Sequence, residues 1–288
     1  MKTFFLFDGK TAEGKEVSFP QLKRGFLYGD GVFETMRASG CRIFRWEKHW
    51  KRLRKGLGTC NLKLEASGEK LRKEIERLLG ENGIESAYVR LNAWRKETEE
   101  FDPSGEEGSH LLVMAKKYAP YGKIFYEKGI SCTVSKNFFK NESSPLTFIK
   151  SFNYLESILA RTEAKREGFD ETIMLNNKGH IAESSASNLF FVKSGIIYAP
   201  SVPCGILPGI TREMILEICK SKNIGVKEGC FKPDMLREAD EIFLTNTLMG
   251  VLPVRKVEGF FEKKKGFFSD FLGREAERIF SEETAVKP

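Results

Sequence analysis

The first half of the chain alternates between two hydrophobic spacings. Short apolar runs bounded by turn residues, such as those around Ser39-Gly40, predict strands. Segments in which apolar residues recur every three or four positions predict amphipathic helices. Residues 96–110 are acidic and rich in Gly and Ser, which predicts a loop. The predicted strands are 33–38, 42–44, 87–94 and 111–115, and the predicted helices cover 46–57 and 71–79.

The second half mixes the same patterns around short turns. Asn153, three residues before Glu156, has the spacing of a capping box and predicts the start of a helix that Gly168 ends. A later helix is predicted over 211–220. The apolar stripe expected to face the core from the first helix consists of Leu155, Ile158, Leu159 and Thr162. The predicted strands are 131–135, 146–150, 171–175, 186–192 and 241–245.

This order of strand pairs, short turns and helices predicts an α/β fold with mixed sheets (α+β) rather than a doubly wound dinucleotide-binding unit. Gly29-Asp30-Gly31 lacks the third glycine of the dinucleotide fingerprint. The 288 residues are enough for two domains, and the Pro and Gly at 118–122 predict their connection. We predict a small α/β domain at 1–118, a connection at 119–127 and a larger domain at 128–288.

Charge and hydropathy narrow the class of protein. The net charge is +7 and the isoelectric point is near 9.0, but basic and acidic residues are interleaved, as at 70–77, so we expect no nucleic-acid partner. The run Lys263-Lys264-Lys265 is interpreted as a solvated loop. The start of the chain lacks a signal-peptide pattern, and no stretch of ~18 apolar residues occurs. We therefore expect a cytoplasmic protein without a membrane span.

The cysteines and histidines predict neither a disulfide framework nor a metal site. The cysteines are irregularly spaced without a Cys-x-x-Cys pair, which fits reduced thiols in the cytoplasm. The histidines are isolated and lack metal-ligand spacing. These residues are Cys41, Cys60, Cys132, Cys204, Cys219 and Cys230, and His49, His110 and His180.

Lys150 is the first candidate for chemistry. It ends an apolar run and directly precedes the predicted helix at 153, and such a turn can hold an amine at a cleft. Burial there would disfavour the ammonium form and leave more free amine to attack a carbonyl carbon. Most lysines are solvated surface cations, so this interpretation depends on partner groups elsewhere in the chain.

Two later features suit a nucleophilic amine. Residues 205–211 hold two glycines and a proline and lead into a predicted helix, so the backbone N–H groups of Ile210 and Thr211 could bind a phosphate. Taken alone, this segment could equally be an ordinary connection. Glu183 precedes an apolar strand, where it would either face solvent or keep a pyridine nitrogen protonated. Amine, carboxylate and anion cradle together indicate a site for pyridoxal 5'-phosphate.

Five motifs occur in the order of one enzyme family. They are Gly-Asp-Gly-Val-Phe-Glu-Thr at 29–35, His49-x-x-Arg52-Leu53, Lys150-x-x-Asn153-Tyr154-Leu155, Glu183-x-Ser185-x-Ser187-Asn188, and Leu207-Pro208-Gly209-Ile210-Thr211-Arg212. Through them, residues 26–257 resemble the fold-type IV, class IV pyridoxal-phosphate enzymes, which include branched-chain and D-amino acid aminotransferases and aminodeoxychorismate lyases. The resemblance implies a small N-terminal α/β domain, a larger C-terminal cofactor-binding domain with a curled mixed sheet, and a homodimer.

The same resemblance implies a role for each site residue. Lys150 would form the Schiff base with the cofactor and move the proton between the substrate α-carbon and the cofactor. Glu183 would pair with the ring nitrogen, Tyr154 would donate to the ring oxygen, and Leu207 would pack on the ring face. The implied phosphate contacts are Arg52, Ile210, Thr211 and Thr247. Without the motifs, Arg52 could be a surface cation and Tyr154 a core aromatic. Thr247 could be a turn residue, and Leu207 could serve packing alone.

The motifs leave the reaction open. Thr35, after Phe-Glu, and the run at 247–254 resemble the lyases, whereas residues 92–99 depart both from the lyases and from the D-amino acid aminotransferases. Arg90 could bind a substrate carboxylate or form a surface salt bridge, and Leu248 is a further candidate substrate contact. We expect transamination between an amino acid and a 2-oxo acid, of the branched-chain or D-amino acid type. The alternatives are release of pyruvate and 4-aminobenzoate from 4-amino-4-deoxychorismate, and a non-catalytic binding protein.

Overall fold

The computed structural model describes residues 3–13, 23–96, 101–102, 107–263 and 266–285. Their contacts group the chain into two compact units, and each unit is made of segments that are not consecutive in the sequence. The first unit comprises Met1–Ala119, Ile149–Asn153 and Phe280–Pro288, and the second comprises Pro120–Phe148 and Tyr154–Ile279.

The first unit is built on a sheet against which two long helices pack. Its strands are β1 (Thr3–Phe7), β2 (Lys10–Glu13), β3 (Gly31–Ser39), β4 (Arg42–Ile43), β5 (Leu62–Lys63), β6 (Ser86–Arg95) and β7 (Glu107–Lys117), and its helices are α1 (Lys23–Tyr28), α2 (Trp46–Thr59) and α3 (Gly68–Glu81). The sheet is mostly antiparallel with the strand order β2-β1-β7-β6-β3-β4, and β5 pairs in parallel with β7. The long helices α2 and α3 carry apolar stripes that pack on the sheet, and their leucines and isoleucine are almost fully buried.

The second unit is built on a nine-stranded mixed sheet of described residues. Its strands are β8 (Ile130–Lys140), β9 (Glu171–Asn176), β10 (Ile181–Ser184), β11 (Asn188–Lys193), β12 (Ile196–Pro200), β13 (Val226–Gly229), β14 (Glu241–Asn246), β15 (Gly250–Val257) and β16 (Phe261–Glu262), and its helices are α4 (Lys123–Lys128), α5 (Leu155–Arg166), α6 (Ile210–Ser221) and most of α7 (Phe267–Thr284). The strand order is β10-β9-β8-β15-β14-β11-β12-β13, and β16 pairs with β15. The pairs β8/β9, β8/β15 and β12/β13 are parallel.

The predicted α/β class with mixed sheets is confirmed. The predicted domain bounds assign residues 149–153 to the larger domain, whereas their contacts group them with the first unit. The reason is backbone pairing to β3: the N–H of Phe33 donates to the carbonyl of Lys150, and the N–H of Phe152 donates to that of Gly31. This pairing places the candidate nucleophile at the edge of the first sheet.

Several local predictions were wrong. Residues 145–148 form a short 3₁₀ helix rather than a strand, and α5 begins at Leu155 without a side-chain cap. The amide of Asn153 instead donates to the carbonyl of Gly29 at 3.4 Å, so it does not form the predicted capping box. The buried residues of α5 are Ser157, Ala160 and Ala164, whereas its larger apolar residues lie on the exposed side.

The loop predicted at 96–110 is shorter than expected because β7 already begins at Glu107. Residues 97–100 and 103–106 of this prediction lie outside the described residues, as do Lys264 and Lys265 of the lysine run. Among the described residues, no helix combines the length and the apolar character needed to cross a bilayer.

The expectation that all six cysteines are reduced thiols is wrong for one pair. Cys204 and Cys230 form a disulfide with a Cα–Cα distance of 5.8 Å, although 26 residues separate them. Parallel pairing of β12 with β13 brings their ends together, and the N–H of Ser201 extends this pairing by donating to the carbonyl of Gly229. The cysteine that follows each strand end therefore meets the other.

Candidate active site

Lys150 is fixed by its backbone to the edge of β3. Its carbonyl accepts the N–H of Phe33 at 2.8 Å, and Ser151 forms an isolated antiparallel bridge with Val32. Ile149, just before the lysine, is buried in the core of the first unit. Lys150 itself is half-buried, so its amine is held near the sheet and is not sealed in the interior. This placement suits an amine that must react with a bound molecule.

The amine of Lys150 shares an aromatic ring with a guanidinium. Its Nζ lies 4.5 Å from the ring centroid of Phe33, and the Cζ of Arg90 lies 3.8 Å from the same centroid. The Nε of Arg90 donates to the Oδ1 of Asn92 at 2.9 Å, which orients the guanidinium. Thr35 lies directly opposite Arg90 in the β3/β6 register, so both side chains project from the same face of the sheet. The structure thus brings three predicted residues, Lys150, Arg90 and Thr35, onto this face.

Arg52 is held by a carboxylate inside the first unit. Its Nε and one terminal nitrogen donate to the two oxygens of Glu34, each at 2.7 Å, in a fork. The Nδ1 of His49 lies 2.7 Å from the Oε2 of Glu34. The fork uses two of the five N–H donors of a guanidinium. Glu34 and His49 therefore fix the orientation of Arg52 on α2, which is what a phosphate-binding arginine requires.

The protonation states of this cluster follow from its charges. Burial alone would raise the pKa of Glu34, but the charge and hydrogen bonds of Arg52, together with the hydrogen bond to His49, lower it to about 2. Burial lowers the pKa of His49, and the charges of Arg52 and Lys150 act in the same direction against the opposing effect of Glu34. Because an ionised carboxylate only accepts, the Nδ1 of neutral His49 carries the proton that it donates to Glu34.

In the second unit, Glu183 lies in β10 and accepts from three elements. Its Oε2 accepts from the side-chain amide of Asn188 at 3.0 Å and from the backbone N–H of Leu207 at 3.1 Å. Its Oε1 lies 3.2 Å from the Nζ of Lys140 at the end of β8. The Nδ2 of Asn188 also donates to the carbonyl of Leu207 at 2.9 Å, so this side chain ties the 205–209 loop to β11. The structure brings Glu183 and Leu207, two predicted residues, into direct contact.

The start of α6 offers donors that lack acceptors within the described residues. Gly209 is the N-cap of α6 and no side chain of the described part of the chain caps it, so the first N–H groups of the helix have no acceptor within it. Ile210 and Thr211 are both buried. The hydroxyls of Ser185 and Thr245 are also buried and have no hydrogen-bond partner among the described residues. The N–H groups at the positive end of α6 fit a phosphate group.

The remaining predicted residues also belong to the second unit. Tyr154 is half-buried at the start of α5, where its carbonyl accepts the N–H of Ile158, and Lys140 interacts electrostatically with its side chain. Thr247 and Leu248 are half-buried in the turn between β14 and β15. The Oδ1 of Asn246 accepts the N–H of Leu248 at 3.0 Å and fixes this turn.

The candidate residues thus fall into two groups, each described within its own unit. Lys150, Arg52, Thr35 and Arg90 belong to the first unit, and the others belong to the second. Several polar residues that contact the candidates were not singled out from the sequence. Among the described residues they include Glu34, His49, Asn92, Lys140, Asn188 and Asn246. Glu34, His49 and Asn188 already stand in the quoted motifs and could have been found there, whereas no motif contains Lys140.

Within the second unit, the N–H groups at the start of α6 and the carboxylate of Glu183 fit the phosphate and the protonated ring nitrogen of pyridoxal 5'-phosphate. Within the first unit, Lys150 is an amine of the kind that such a cofactor requires. Both features are typical of the class of enzymes that use this cofactor. The model of one such family, amino-transferase class IV, matches residues 31–257, and the chain belongs to this family. The resemblance expected from the motifs is therefore confirmed, as are the predictions of an enzyme and of its cofactor.

Known proteins similar to the chain include aminotransferases of two kinds. It is 32% identical over 260 residues to the branched-chain-amino-acid aminotransferase of Pseudomonas aeruginosa, covering 88% of this chain and 84% of that protein. It is 30% identical over 258 residues to the D-alanine aminotransferase of Listeria monocytogenes, covering 88% of this chain and 87% of that protein.

Solved structures agree with these sequence relatives. The crystal structure of the Escherichia coli branched-chain amino acid aminotransferase superposes with a TM-score of 0.90 at 27% identity, covering 99% of this chain and 96% of that one. The T.th. branched-chain amino acid aminotransferase with pyridoxamine 5'-phosphate superposes with a TM-score of 0.89 at 28% identity, covering 99% of this chain and 95% of that one.

Proposed function

We propose that the chain transfers an amino group between an amino acid and a 2-oxo acid, with branched-chain amino acids as the substrate class. One observation carries the proposal: a half-buried lysine amine and an oriented guanidinium contact the same ring, that of Phe33. An amino acid presents a carboxylate next to the carbon at which the reaction occurs. Lys150 and Arg90 supply an acid–base group and an anion-binding group beside the same ring, as such a substrate requires.

Bound pyridoxal 5'-phosphate supplies an aldehyde that links to amines and a ring that accepts the electron pair of a broken bond. Lys150 provides the Nζ that holds the aldehyde before substrate arrives. Once the substrate amine replaces it, the same Nζ would take the proton from the substrate α-carbon and return it to the carbon of the cofactor aldehyde, on the other side of the shared nitrogen. Glu183 would accept the N–H of the ring nitrogen, and Tyr154 would donate to the ring oxygen. The cycle runs in two halves, so ping-pong kinetics are expected.

The phosphate would be bound by the first N–H groups of α6 at Ile210 and Thr211, by the hydroxyl of Thr247 and by Arg52. The uncapped helix end supports the first two assignments, because its orphan donors need an acceptor. The fork to Glu34 supports the assignment of Arg52, because it keeps the long side chain from sampling other rotamers. Leu207 would pack on the ring face, since its backbone already contacts Glu183.

Arg90 would bind the substrate carboxylate. Replacing Arg90 by Met should raise KM for the amino acid at least tenfold, because a charge-assisted hydrogen bond contributes about 1.5–3 kcal/mol. The matched control is Lys116→Met, which removes a cation that lies 5.0 Å from the ring of Tyr88 on the same sheet. Both variants are assayed by steady-state kinetics. An unchanged KM in the first variant, or an equal rise in both, would contradict the role of Arg90.

A second candidate activity is supported by Thr35, the residue by which the sequence resembles the lyases and which lies opposite Arg90. In that reaction 4-amino-4-deoxychorismate would give pyruvate and 4-aminobenzoate without a 2-oxo acid acceptor. The deciding experiment is a panel of L- and D-amino acid donors with 2-oxoglutarate or pyruvate, run beside an aminodeoxychorismate assay. L-branched-chain donors should react fastest. Pyruvate release without an acceptor would favour the lyase, preference for D-donors would favour the D-amino acid type, and failure of all substrates would refute the proposal.

We also propose that the enzyme works as a homodimer in the cytoplasm. Three large apolar residues of α5, Leu155, Ile158 and Leu159, are 67%, 56% and 42% exposed, and an apolar helix face of this kind supports contact with a second copy. The four cysteines that remain free thiols, Cys41, Cys60, Cys132 and Cys219, support the compartment, whereas the disulfide between Cys204 and Cys230 argues against it. Sedimentation equilibrium of the purified protein tests the dimer, and Ile158→Glu should shift it towards the monomer. A wild-type protein that sediments as a monomer at all concentrations would contradict it.

A further inference from the structure

We propose that Lys140 is a positioning residue for the cofactor: it fixes the carboxylate of Glu183 and lowers its affinity for a proton, so that the ring nitrogen keeps that proton. The inference deepens the proposed function and rests on it, because Glu183 faces the ring nitrogen only in that assignment. Lys140 stands in none of the five motifs, and its place was revealed by the fold.

The contacts of Lys140 are specific and shielded from water. The Nζ of Lys140 lies 3.2 Å from the Oε1 of Glu183 and donates to the Oγ of Ser157 on α5, also at 3.2 Å. The side chains of Lys140 and Glu183 are only 16% and 8% exposed. Lys140 is the last residue of β8, paired in parallel with Asn176 of β9, so the strand delivers the ammonium to this point. An ion pair so placed is weakly screened by salt and water.

Both oxygens of Glu183 are engaged by donors from different elements. Lys140 contacts Oε1, whereas Asn188 and the N–H of Leu207 donate to Oε2 at 3.0 and 3.1 Å. A carboxylate held from three directions cannot rotate about its last torsion without breaking a contact. Lys140 is the charged member of this set, so it contributes to orientation and also to the electrostatics of the carboxylate.

The surroundings keep Lys140 a cation. Burial alone would lower the pKa of Lys140, but the charge of Glu183 raises it, aided by Tyr154 and more weakly by Glu156, and the net effect is a raised pKa. Glu183 on β10 and Tyr154 and Glu156 at the start of α5 are the titratable groups that act on it. The ammonium of Lys140 therefore acts on both Glu183, the proposed partner of the ring nitrogen, and Tyr154, the proposed partner of the ring oxygen.

A fixed cation changes how a proton is shared between Glu183 and the ring nitrogen. An opposite charge held close to a carboxylate favours its ionised form, so Lys140 would lower the affinity of Glu183 for a proton relative to that of the ring nitrogen. With Lys140 present, the proton stays on nitrogen and the ring remains an electron sink. Without Lys140, the proton moves towards Glu183 and the ring loses part of that capacity.

The test measures the ring nitrogen directly. Holoenzyme is prepared with ¹⁵N-labelled pyridoxal 5'-phosphate, and its ¹⁵N resonance is recorded at neutral pH for the wild type and for Lys140→Met, Lys140→Gln and Lys140→Arg. The matched control is Lys165→Met, which removes an ammonium 3.6 Å from Asp170 in the same unit. Near-ultraviolet circular dichroism confirms that each variant is folded, and steady-state kinetics give kcat and KM separately. Two neutral variants are included in case one of them fails to fold.

The neutral variants should move the resonance from the pyridinium position towards that of neutral pyridine and lower kcat at least tenfold, with KM changed less than threefold. Lys140→Arg keeps the charge and should retain the wild-type resonance, as should Lys165→Met. A wild-type resonance in a folded neutral variant would overturn the role of Lys140 and leave the proposed function intact. A wild-type protein that binds no cofactor would overturn the proposed function, and one whose bound cofactor has an unprotonated ring nitrogen would overturn the assignment of Glu183 and the role of Lys140 with it.

Discussion

Replacing Glu34 by Gln would remove the charge at the centre of the buried cluster in the first unit. The side chain of Glu34 is 2% exposed and accepts two hydrogen bonds from Arg52 and one from His49. The substitution keeps the size of the side chain but places an amide N–H₂ against the guanidinium. Because donor then faces donor and the charge of Arg52 loses its partner, we expect a clear loss of stability.

The size of the expected stability loss follows from the shift in the pKa of Glu34. Its pKa falls from 4.5 to about 2, which at 1.36 kcal/mol per unit corresponds to about 3 kcal/mol of stability at neutral pH. A carboxyl whose folded pKa is depressed contributes fully above its unfolded pKa of 4.5 and loses that contribution as pH falls towards 2. At pH 3 the contribution should fall to about 1 kcal/mol, so the difference between wild type and variant should shrink by about 2 kcal/mol.

The assay is equilibrium urea unfolding of the full-length protein without added cofactor, at pH 7 and at pH 3. Omitting the cofactor prevents any weakened binding at Arg52 from adding to the measured difference. The control is Glu69→Gln, since Glu69 forms an exposed i,i+4 pair with Lys73 at 2.8 Å, and such pairs contribute little. Glu69→Gln should behave as the wild type at both values of pH.

The result that refutes the reasoning is a parallel pH dependence. If the stabilities of the wild type and of Glu34→Gln differ by the same amount at pH 7 and pH 3, then Glu34 has no depressed pKa in the folded state. A variant as stable as the wild type at pH 7 would show that the buried cluster contributes no net stability, as some buried ion pairs do not.

Two further predictions concern the nucleophile and the core. Lys150→Ala should eliminate both transamination and covalent retention of the cofactor. Borohydride reduction followed by peptide mapping should label the peptide that contains Lys150 in the wild type and no peptide in the variant. A label on another lysine would contradict the assignment. Phe190→Ala should cost about 3–5 kcal/mol in urea unfolding, because Phe190 is fully buried and stacks on Phe243 at 5.1 Å. The control Phe267→Ala removes a ring that is 65% exposed and should cost under about 1 kcal/mol, so equal losses would show that burial is not the cause.

Elements with strong internal periodicity could be predicted from the sequence. The helix predicted at 46–57 is α2; on its predicted face of Trp46, Trp50, Leu53 and Leu57, all are buried except Trp50, which is half-buried. The strand predicted at 87–94 is the centre of β6. Such elements bury a stripe whose spacing matches the geometry of the backbone, so the pattern alone specifies both the type of the element and its inward face.

The buried face of α5 is the opposite of its predicted apolar stripe, and the periodicity could not reveal this. Its small residues, among them Ser157 and Ala160, allow a close approach to the sheet, whereas its leucines face outward. A stripe of leucines indicates that this face of the helix will be buried, but it does not identify the surface that buries it. The capping box failed for a related reason, because Asn153 finds a distant partner in the carbonyl of Gly29, which lies 124 residues earlier.

The candidate site was predictable as far as its residues stand in motifs. Lys150 and Glu183 carry a recognisable context along the chain. Lys140 does not, because its relation to Glu183 exists only once parallel pairing of β8 with β9 and antiparallel pairing of β9 with β10 have formed. Contacts across neighbouring strands depend on register, and register was not part of the sequence pattern.

The disulfide between Cys204 and Cys230 turns part of the second unit into a covalent ring that contains the 205–209 loop and all of α6. A protease that cuts once anywhere between residues 205 and 229 therefore severs the polypeptide without releasing a fragment. The nicked protein should migrate as one band on a denaturing gel and separate into two only after a reductant is added. After such a cut, the disulfide would keep the segment proposed to bind the phosphate covalently attached to its own sheet. If Cys204 and Cys230 were free thiols, the same cut would leave no covalent link.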